Sequence, residues 1–440
     1  MKASHRRVPK PDNGRPSGTA ANRRTLVAVD LGAESCRVSL LRWVDDQPQI
    51  LAVSRFPNGP IQESTGLHWD IRKILRGIEE GLRACAELAP EGIASIGVDG
   101  WAVDYVRIGT DGGPVSNPFC YRDERTIEAQ RQVHARIAAE RLYALTGVQI
   151  LALNSLYQLY ADSQRSLDQR IRWLNLPEFV LHHLGGRPVA EYTNASHTAL
   201  LSVNERHWCR EIFDAAGLDL NAAPPVVTPG TEVGRLQGPL AELPPFRDTK
   251  LIVPACHDTA SAIAGMPTRG DDIAFISSGT WSLVGAVLDA PCLSEAARSK
   301  NFSNEGGVGG RINFLKIING MWLLQQCIEH WRSQGRIWSV EEIVKACRSL
   351  PRPECLLDVD DPDLVLPGNM PQRINAQLVR QDKAPIADGA EAAPHMANLI
   401  FHSLAARYAA VLRDLVSITG KRLRRICIVG GGSKNTFLNA

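Results

Sequence analysis

The sequence lacks the patterns that mark several common protein classes. No part of its 440 residues approaches the ~18 consecutive apolar residues of a membrane span. Its ten cysteines form no CxxC pair, which disfavours structural zinc, and the N-terminus has no apolar stretch typical of a secretory signal. We therefore expect reduced thiols, a cytoplasmic protein and no membrane partner.

Two nucleotide-binding fingerprints are absent as well. The glycines at 430–432 follow an apolar run but do not match the GxGxxG pattern of dinucleotide-binding folds. No GxxxxGK[ST] loop is present either. Nicotinamide-dependent dehydrogenases and P-loop ATPases are thus disfavoured. The three glycines leave two interpretations open: a flexible turn, or a place where the backbone approaches a flat ligand or a phosphate.

Charge is unevenly distributed along the chain. The formal net charge is +2, yet residues 1–24 hold seven basic residues and a single acidic one. The rest of the chain has 42 basic and 46 acidic residues and carries a charge of −4. Nucleic-acid binding would rest on the tail alone, so no nucleic-acid partner is expected. The composition of the tail predicts a disordered basic extension.

The length and the order of apolar patterns predict an α/β fold with two domains. The chain has 44% hydrophobic and 22% charged residues, as globular proteins do, and it is too long for one core. Strands and helices open the chain and return after Gly270. The stretches 226–247 and 351–394 predict mostly loop. The predicted strands span 25–31, 36–43, 49–56, 93–98, 251–254, 273–277, 281–288, 311–318 and 425–429, and the main predicted helices 69–88, 321–332, 340–350 and 396–418.

Two short turns have the composition of phosphate-binding loops. The segments 32–36 and 277–280 each join two strands, and their backbone N–H groups and hydroxyls suit phosphate oxygens. Asp30 ends the strand before the first turn, where a carboxylate can hold Mg²⁺ through water. Two such hairpins that face one cleft could grip a polyphosphate from both sides. Taken alone, either turn is also compatible with an ordinary hairpin.

Asp258 is a candidate general base. It opens a helix of small residues, and in phosphoryl transfer a positioned carboxylate orients or deprotonates the attacking hydroxyl. The plain alternative is that Asp258 only caps the helix. Aromatic, acidic and arginine side chains at 99–104 and 121–126 are typical of carbohydrate sites, although Arg122 and Arg125 could equally pair with neighbouring acids.

In this order, the segments resemble the FGGY carbohydrate kinases of the actin-like ATPase superfamily, and within them the rhamnulokinases. The resemblance implies two RNase H-like domains with an ATP cleft between them, a sugar-binding domain at 25–265 and a nucleotide-binding domain at 266–440. It implies Mg²⁺ with ATP as cosubstrate and a small ketose as the other partner, and we expect a monomer or homodimer. The matching stretches are AVDLGAESCRV, SIGVDGWAVDYV, YRDERT, EYTNASHTALL, HDTASA, ISSGTWSLVG, NEGG, GMWLLQ and IVGGGSKNT.

The resemblance also implies a reaction and roles for single residues. ATP would phosphorylate L-rhamnulose to L-rhamnulose 1-phosphate, with Asp258 as the proton acceptor. The positions that correspond to sugar contacts are Ala102, His257, Asp258, Thr259 and Ile317. Those that correspond to nucleotide contacts are Ala33, Glu34, Ser35, Cys36, Arg37, Thr280, Gln325 and Gly431.

Three positions depart from the family's pattern. Glu34 adds negative charge beside the expected phosphates, which is unfavourable unless it points away or meets Mg²⁺. Ala102 is one methyl larger than the family's glycine. Ile317 replaces a sugar-contact asparagine, although Asn319 lies on the same face if the strand extends that far. These changes leave other ketoses open as substrates, fuculose or xylulose among them.

The end of the chain generates one further expectation. The sequence stops at Ala440, soon after the glycine turn, whereas the family continues with a further strand and helices. We therefore expect the C-terminal domain to be truncated. A non-catalytic sugar- or nucleotide-binding relative is the alternative that this expectation favours.

Overall fold

The computed structural model describes residues 25–165, 170–268, 270–387 and 389–440. The predicted basic tail, residues 1–24, lies outside the described residues. All ten cysteines lie within these ranges and are free thiols. Of the helices described, none has the length and apolar character needed to cross a membrane.

The strands of the described residues are numbered along the chain. They are β1 Thr25–Leu31, β2 Ser35–Val44, β3 Gln47–Pro57, β4 Pro60–Glu63, β5 Gly66–Trp69, β6 Ile93–Gly100, β7 Tyr105–Arg107, β8 Trp173–Asn175, β9 Ala190–Glu191, β10 Val226–Val227, β11 Glu232–Arg235, β12 Lys250–Ile252, β13 Ile273–Ser278, β14 Trp281–Leu288, β15 Ser303–Gly306, β16 Ile312–Asn319 and β17 Arg425–Val429.

The helices are numbered in the same way. They are α1 Ile71–Leu88, α2 Arg125–His134, α3 Ala139–Thr146, α4 Ser155–Ser163, α5 Leu176–His183, α6 Tyr192–Ala195, α7 Arg210–Ala216, α8 Asp258–Ala264, α9 Glu295–Ser299, α10 Trp322–Ser333, α11 Val340–Cys347, α12 Met370–Arg380 and α13 Ala393–Thr419. We call β1 to α8 the N-terminal part and β13 to the end the C-terminal part.

A six-stranded sheet is the frame of the N-terminal part. Its strand order is β11-β12-β6-β1-β2-β3, and β1 pairs antiparallel with β2 and parallel with β6. β1 alternates in burial and places Val27, Val29 and Leu31 in the core, because successive strand residues point to opposite faces.

Helix α1 covers one face of this sheet and is amphipathic. Its buried residues recur at helical spacing and include Ile71, Ile74, Ile78 and Leu82. The side chain of Asp70 accepts a hydrogen bond from the Lys73 backbone N–H at 2.9 Å and caps the first turn. The predicted helix over 69–88 is thus present, two residues shorter at its start.

A second sheet repeats the plan in the C-terminal part. Its order is β15-β16-β14-β13-β17, with β13 antiparallel to β14 and parallel to β17. The order and directions of β3-β2-β1-β6 therefore recur in β16-β14-β13-β17. The long helix α13 packs on this sheet, where Tyr408 Oη lies 2.7 Å from Ser282 Oγ in a buried hydrogen bond. This is the predicted α/β fold of two related domains.

The two stretches predicted as mostly loop contain regular elements. In 351–394, α12 begins after Asn369, whose side chain accepts a hydrogen bond from the Gln372 N–H, and it buries Ile374 and Leu378. In 226–247, β11 adds to the first sheet by antiparallel pairing with β12. Both stretches are mostly loop and short turns, as predicted, but these two elements were missed because proline and glycine flank them, and they are fixed by tertiary burial and pairing rather than by local propensity.

A buried carboxyl pair in the N-terminal part makes stability depend on pH. Glu178 accepts hydrogen bonds from the Glu191 N–H at 3.0 Å and from Asn194 Nδ2 at 2.9 Å. Burial raises the pKa of Glu178 to about 8, and the charge of Glu191 adds to the increase. The folded protein therefore keeps a proton on Glu178 that the unfolded chain releases above its ordinary pKa.

We expect the free energy of unfolding to fall as the pH rises from 5 to 8. The contribution of Glu178 is complete below its ordinary pKa and is lost as the pH rises through its folded value of about 8. Urea denaturation at each pH measures this, and Glu178→Gln should reduce the decrease by ~1–2 kcal/mol. The surface variant Glu87→Gln serves as the control. Equal slopes in the Glu178→Gln variant and the unmodified protein would contradict the assignment.

Candidate active site

Glu34 joins the two parts of the molecule across a cleft. Its Oε1 accepts a hydrogen bond from Thr280 Oγ1 at 3.1 Å, and its Oε2 accepts one from Gln325 Nε2 at 2.7 Å. Burial raises the pKa of Glu34, while the hydrogen bond from Thr280 and the charge of Arg122 lower it. Glu34 lies between β1 and β2, Thr280 between β13 and β14, and Gln325 in α10. Three residues predicted to contact a nucleotide therefore meet here.

The first predicted turn places a hydroxyl group and charged side chains beside this cleft. Ser35 Oγ accepts a hydrogen bond from Arg55 Nε at 3.1 Å, and Arg37 Nη2 lies 3.2 Å from Asp30 Oδ2. Cys36 is buried in the core of the first sheet, and burial raises the pKa of its thiol to about 12. Only the backbone of Cys36 can therefore face a ligand. Ala33 is half-buried against the same core.

The second turn and the glycine run lie side by side. β13 and β17 are parallel with Ser277 opposite Val429, so both connections leave the sheet at the same end. Gly430 has φ 82°, and a Cβ there would lie 2.6 Å from the Ser278 carbonyl oxygen. Gly431, by contrast, has no atom within 4 Å of its ideal Cβ position and borders open space. Thr280 and Gly431 are thus brought to one edge of the cleft.

Three half-buried carboxyl groups converge beside the first turn. Asp30 is opposite Asp99 in the parallel pair β1–β6, and Gly100 bridges to His257, which places Asp258 next to them. Burial raises the pKa of Asp99, and the charges of Asp30 and Asp258 raise it further. Burial likewise raises the pKa of Asp30, against the opposing charges of nearby arginines.

Asp258 lies at the mouth of this group with a side chain that is 43% exposed. The helix α8 begins at Asp258 itself, and His257 occupies the N-cap position. Burial raises the pKa of Asp258 to about 7, with Asp30 as the second cause. His257 Nε2 lies 3.3 Å from Asp258 Oδ1, and Thr259 Oγ1 donates to Ser277 Oγ at 3.3 Å in β13. The segment 257–259 therefore joins the carboxyl group to the second turn.

Family models match both parts of the molecule. The N-terminal domain of the FGGY family of carbohydrate kinases matches residues 25–265, and the C-terminal domain of that family matches residues 274–440. The chain belongs to the FGGY family of carbohydrate kinases. Its fold is accordingly the expected pair of RNase H-like domains with the nucleotide cleft between them.

Curated relatives and solved structures agree with this assignment. The chain is 34% identical to a rhamnulokinase of Bacteroides thetaiotaomicron, covering 95% of this chain and 85% of that protein. It is 36% identical to a rhamnulokinase of Enterococcus faecalis, covering 95% and 83%. A xylulose kinase of Lactobacillus acidophilus has the same fold with TM-score 0.73 at 16% identity, covering 94% of this chain and 83% of that one. These matches do not support the expected truncation of the C-terminal domain.

The aromatic segment of this FGGY chain is organised around a buried carboxylate. Asp104 Oδ2 accepts hydrogen bonds from Trp69 Nε1 at 2.6 Å, from Trp101 Nε1 at 2.9 Å and from the Tyr121 N–H at 3.2 Å. Asp104 is fully buried. Asp104, one of the acids in the segment 99–104 whose composition is typical of carbohydrate sites, thus orients the aromatic rings.

The two arginines of the next segment have different partners. Arg125 Nε lies 3.7 Å from Asp123 Oδ1. Arg125 thus forms an ion pair with a neighbouring acid, which was one of the two interpretations of this segment. Arg122 donates from Nη1 to the Val365 carbonyl at 2.6 Å, and its guanidinium lies 3.6 Å from the ring centroid of Trp322. Arg122 therefore links the N-terminal part to the C-terminal part through a cation–π contact and a hydrogen bond.

The remaining predicted sugar contacts offer little polar chemistry. Ala102 is buried in the core of the first sheet. Ile317 is half-buried against a small apolar cluster that includes Ile263 of α8. β16 does extend to Asn319, but Asn319 Nδ2 donates to the Val359 carbonyl at 2.9 Å. The amide of Asn319, which lies two residues along the strand from Ile317, is therefore engaged elsewhere.

Gln149 is a contact between the parts that the sequence did not reveal. Its Oε1 accepts a hydrogen bond from the Ile317 N–H at 2.8 Å, and its Nε2 donates to the Ile317 carbonyl at 3.0 Å. β15 pairs with β16 only as far as Leu315, so Gln149 takes the place of a strand at Ile317. A lone glutamine before an apolar run has no sequence signal for such a role.

We expect Gln149→Ala to lower the free energy of unfolding by ~1–3 kcal/mol. The substitution leaves the N–H and C=O of Ile317 without partners in a buried junction. Chemical denaturation followed by circular dichroism measures the loss. Gln132→Ala, at an exposed hydrogen bond to Glu128, is the matched control and should have little effect. Equal stabilities for the two variants would contradict the role of Gln149.

Proposed function

We propose that the protein transfers the γ-phosphoryl group of ATP to L-rhamnulose, giving L-rhamnulose 1-phosphate and ADP. The observation that carries the proposal is the position of Asp258, which lies between a carboxyl cluster and two turns suited to phosphate. The relatives named rhamnulokinase, at 34–36% identity over most of the chain, support the choice of ketose. We assign sugar binding to residues 25–265 and nucleotide binding to residues 266–440.

Asp258 acts as the general base in this scheme. Its carboxylate accepts the proton of the sugar hydroxyl as that oxygen forms a bond to the γ-phosphorus, while the bond from the γ-phosphorus to the bridging oxygen of ADP breaks. A pKa of about 7, raised by burial and by Asp30, suits a group that must take up a proton near neutral pH. The exposed mouth at Asp258 gives the hydroxyl access to the carboxylate.

Sugar contacts are assigned to the segment around the base. His257 and Thr259 flank Asp258, and Ala102 and Ile317 would line the apolar side of the ketose. Because the side chain of Ile317 can neither donate nor accept a hydrogen bond, its contact with the sugar would be apolar. The methyl-bearing end of a 6-deoxy sugar fits such a surface better than a hydroxymethyl group would.

Nucleotide contacts are assigned to both edges of the cleft. Ala33, Ser35 and Arg37, with the backbone of Cys36, would hold phosphate oxygens from the first turn. Thr280 and Gln325 would contact the nucleotide from the opposite edge of the cleft, where both donate hydrogen bonds to Glu34. Gly431, which borders open space, would allow the planar adenine of ATP to approach the backbone.

The carboxyl cluster fits a hydrated Mg²⁺ ion. Asp30 and Asp258 raise the pKa of Asp99, and Asp30 raises that of Asp258; a divalent cation would relieve this repulsion, and oxygen ligands are those that Mg²⁺ prefers. We assign Asp30 as the residue that holds the ion, through water. Bound Mg²⁺ would neutralise charge on the transferring phosphoryl group. The protein's own groups position the two substrates and exclude water.

An ADP-release assay across a panel of ketoses tests the proposal. We expect Mg²⁺-dependent turnover with L-rhamnulose above that with L-fuculose or xylulose, and a loss of about 10²–10⁴-fold in kcat for Asp258→Asn. Asp214→Asn, at an exposed position, is the control and should retain turnover. Release of ADP that does not depend on sugar, or an Asp258→Asn variant with full activity, would overturn the proposal.

Glu34 generates a separate prediction about ATP. Its carboxylate occupies the space between Thr280 and Gln325 and repels a triphosphate, so Glu34→Ser should lower the KM for ATP roughly fivefold, or ~1 kcal/mol. Initial rates at saturating ketose measure the change. Glu34→Gln keeps a hydrogen-bonding side chain without the charge. It therefore separates the effect of charge repulsion from the effect of the space that the side chain occupies. A KM that rises in both variants would show instead that Glu34 supports nucleotide binding, for instance through Mg²⁺.

A further inference from the structure

Three metal-binding side chains from distant segments meet below the cleft. His197 lies in a short turn after α6, His257 precedes α8, and Glu305 lies in β15. Their side chains are 4%, 6% and 1% exposed. The histidines belong to the N-terminal part and the glutamate to the C-terminal part, so the cluster spans the junction between them.

Four buried polar atoms of this cluster have no hydrogen bond of good geometry. They are His197 Nε2, His257 Nδ1 and both carboxylate oxygens of Glu305. His197 Nε2 approaches Glu305 Oε2 to 2.8 Å, and His257 Nδ1 lies 3.9 Å from the same oxygen. A buried polar group without a partner costs about 1–3 kcal/mol, so four at one point call for a ligand.

The spacing of these atoms suits a small divalent cation. Each residue offers one ligand atom, and the three atoms lie within 4.8 Å of one another. Ligands about 2.0–2.1 Å from a tetrahedral ion are about 3.3 Å apart, which lies between the two observed separations. Two imidazoles with one carboxylate favour Zn²⁺ and its neighbours over Mg²⁺, which prefers oxygen ligands.

The surroundings of His257 match those of a metal-binding imidazole. Its Nδ1 faces the cluster, while its Nε2 lies 3.3 Å from Asp258 Oδ1. A carboxylate at the second ring nitrogen fixes the tautomer and the orientation of a ligating histidine.

We propose that His197, His257 and Glu305 bind one divalent ion of the Zn²⁺ class. The ion ties the N-terminal part to the C-terminal part and holds the ring of His257 beside Asp258. It is distinct from the oxygen-ligated ion assigned to Asp30. The absence of a CxxC pair disfavoured structural zinc, but these three ligands have no short spacing along the chain and contain no cysteine.

A Co²⁺ titration of the full chain, after removal of metals by a chelator and without nucleotide, tests the site. We expect ligand-field absorption in the visible region that saturates at one Co²⁺ per chain and is displaced by Zn²⁺. Elemental analysis after gel filtration should find the same ratio. X-ray absorption of the unmodified protein should show imidazole nitrogen around the ion. No retained metal, or a coordination shell of oxygen alone, would overturn the proposal.

Substitutions locate the site. Glu305→Gln and His197→Gln should each weaken Co²⁺ binding at least tenfold, whereas Asp30→Asn should leave it unchanged. His183→Gln is the matched control, because His183 Nε2 lies 3.3 Å from Glu79 Oε1 at the surface. Unchanged binding in both cluster variants, or loss in the control, would overturn the proposal. If a cluster variant does not fold, the spectroscopy of the unmodified chain decides the matter.

Discussion

The parallel register between β1 and β6 is the constraint on which the site depends. It sets Asp30 opposite Asp99, and the bridge from Gly100 to His257 carries the alignment on to Asp258. The close approach requires glycine at 100, because a Cβ there would lie 2.7 Å from the Leu31 Cβ. A shift of one residue would turn these carboxyl groups to the opposite face of the sheet and separate them.

The two parts of the molecule keep separate main apolar cores and meet through polar side chains and through a small apolar cluster that packs Ile263 of α8 against Phe275 and Leu283. One core is formed by residues between Val27 and Cys256, and another by residues between Ile276 and Leu438. The junction is held by Glu34, Arg122 and Gln149, and by the cluster around Glu305. The contacts of Glu34 are exposed and contribute little free energy each, whereas those of Arg122, Gln149 and Glu305 are buried and hold the two parts more firmly.

Much of the fold could be predicted because its strands and amphipathic helices have local patterns. The alternation in β1 and the spacing of Ile71, Ile74 and Ile78 in α1 are examples. Helix α12 and strand β11 could not be predicted, because burial of the helix and pairing of the strand with β12 stabilise them against a proline- and glycine-rich context. The expected truncation found no support in the family comparisons.

The sequence by itself determined the family and the identity of the candidate base, because HDTASA, SSGTWSL and NEGG are short motifs whose residue types and order are specific. It also identified Glu34 as a residue out of pattern. Only the tertiary structure decided what Glu34 touches, that Asp104 is buried, and that His197 and Glu305 meet His257. The physical reason is distance along the chain: the partners of Glu34, His197 and Glu305 lie more than forty residues away and are chosen by strand register and by the packing of two cores, which no local pattern specifies.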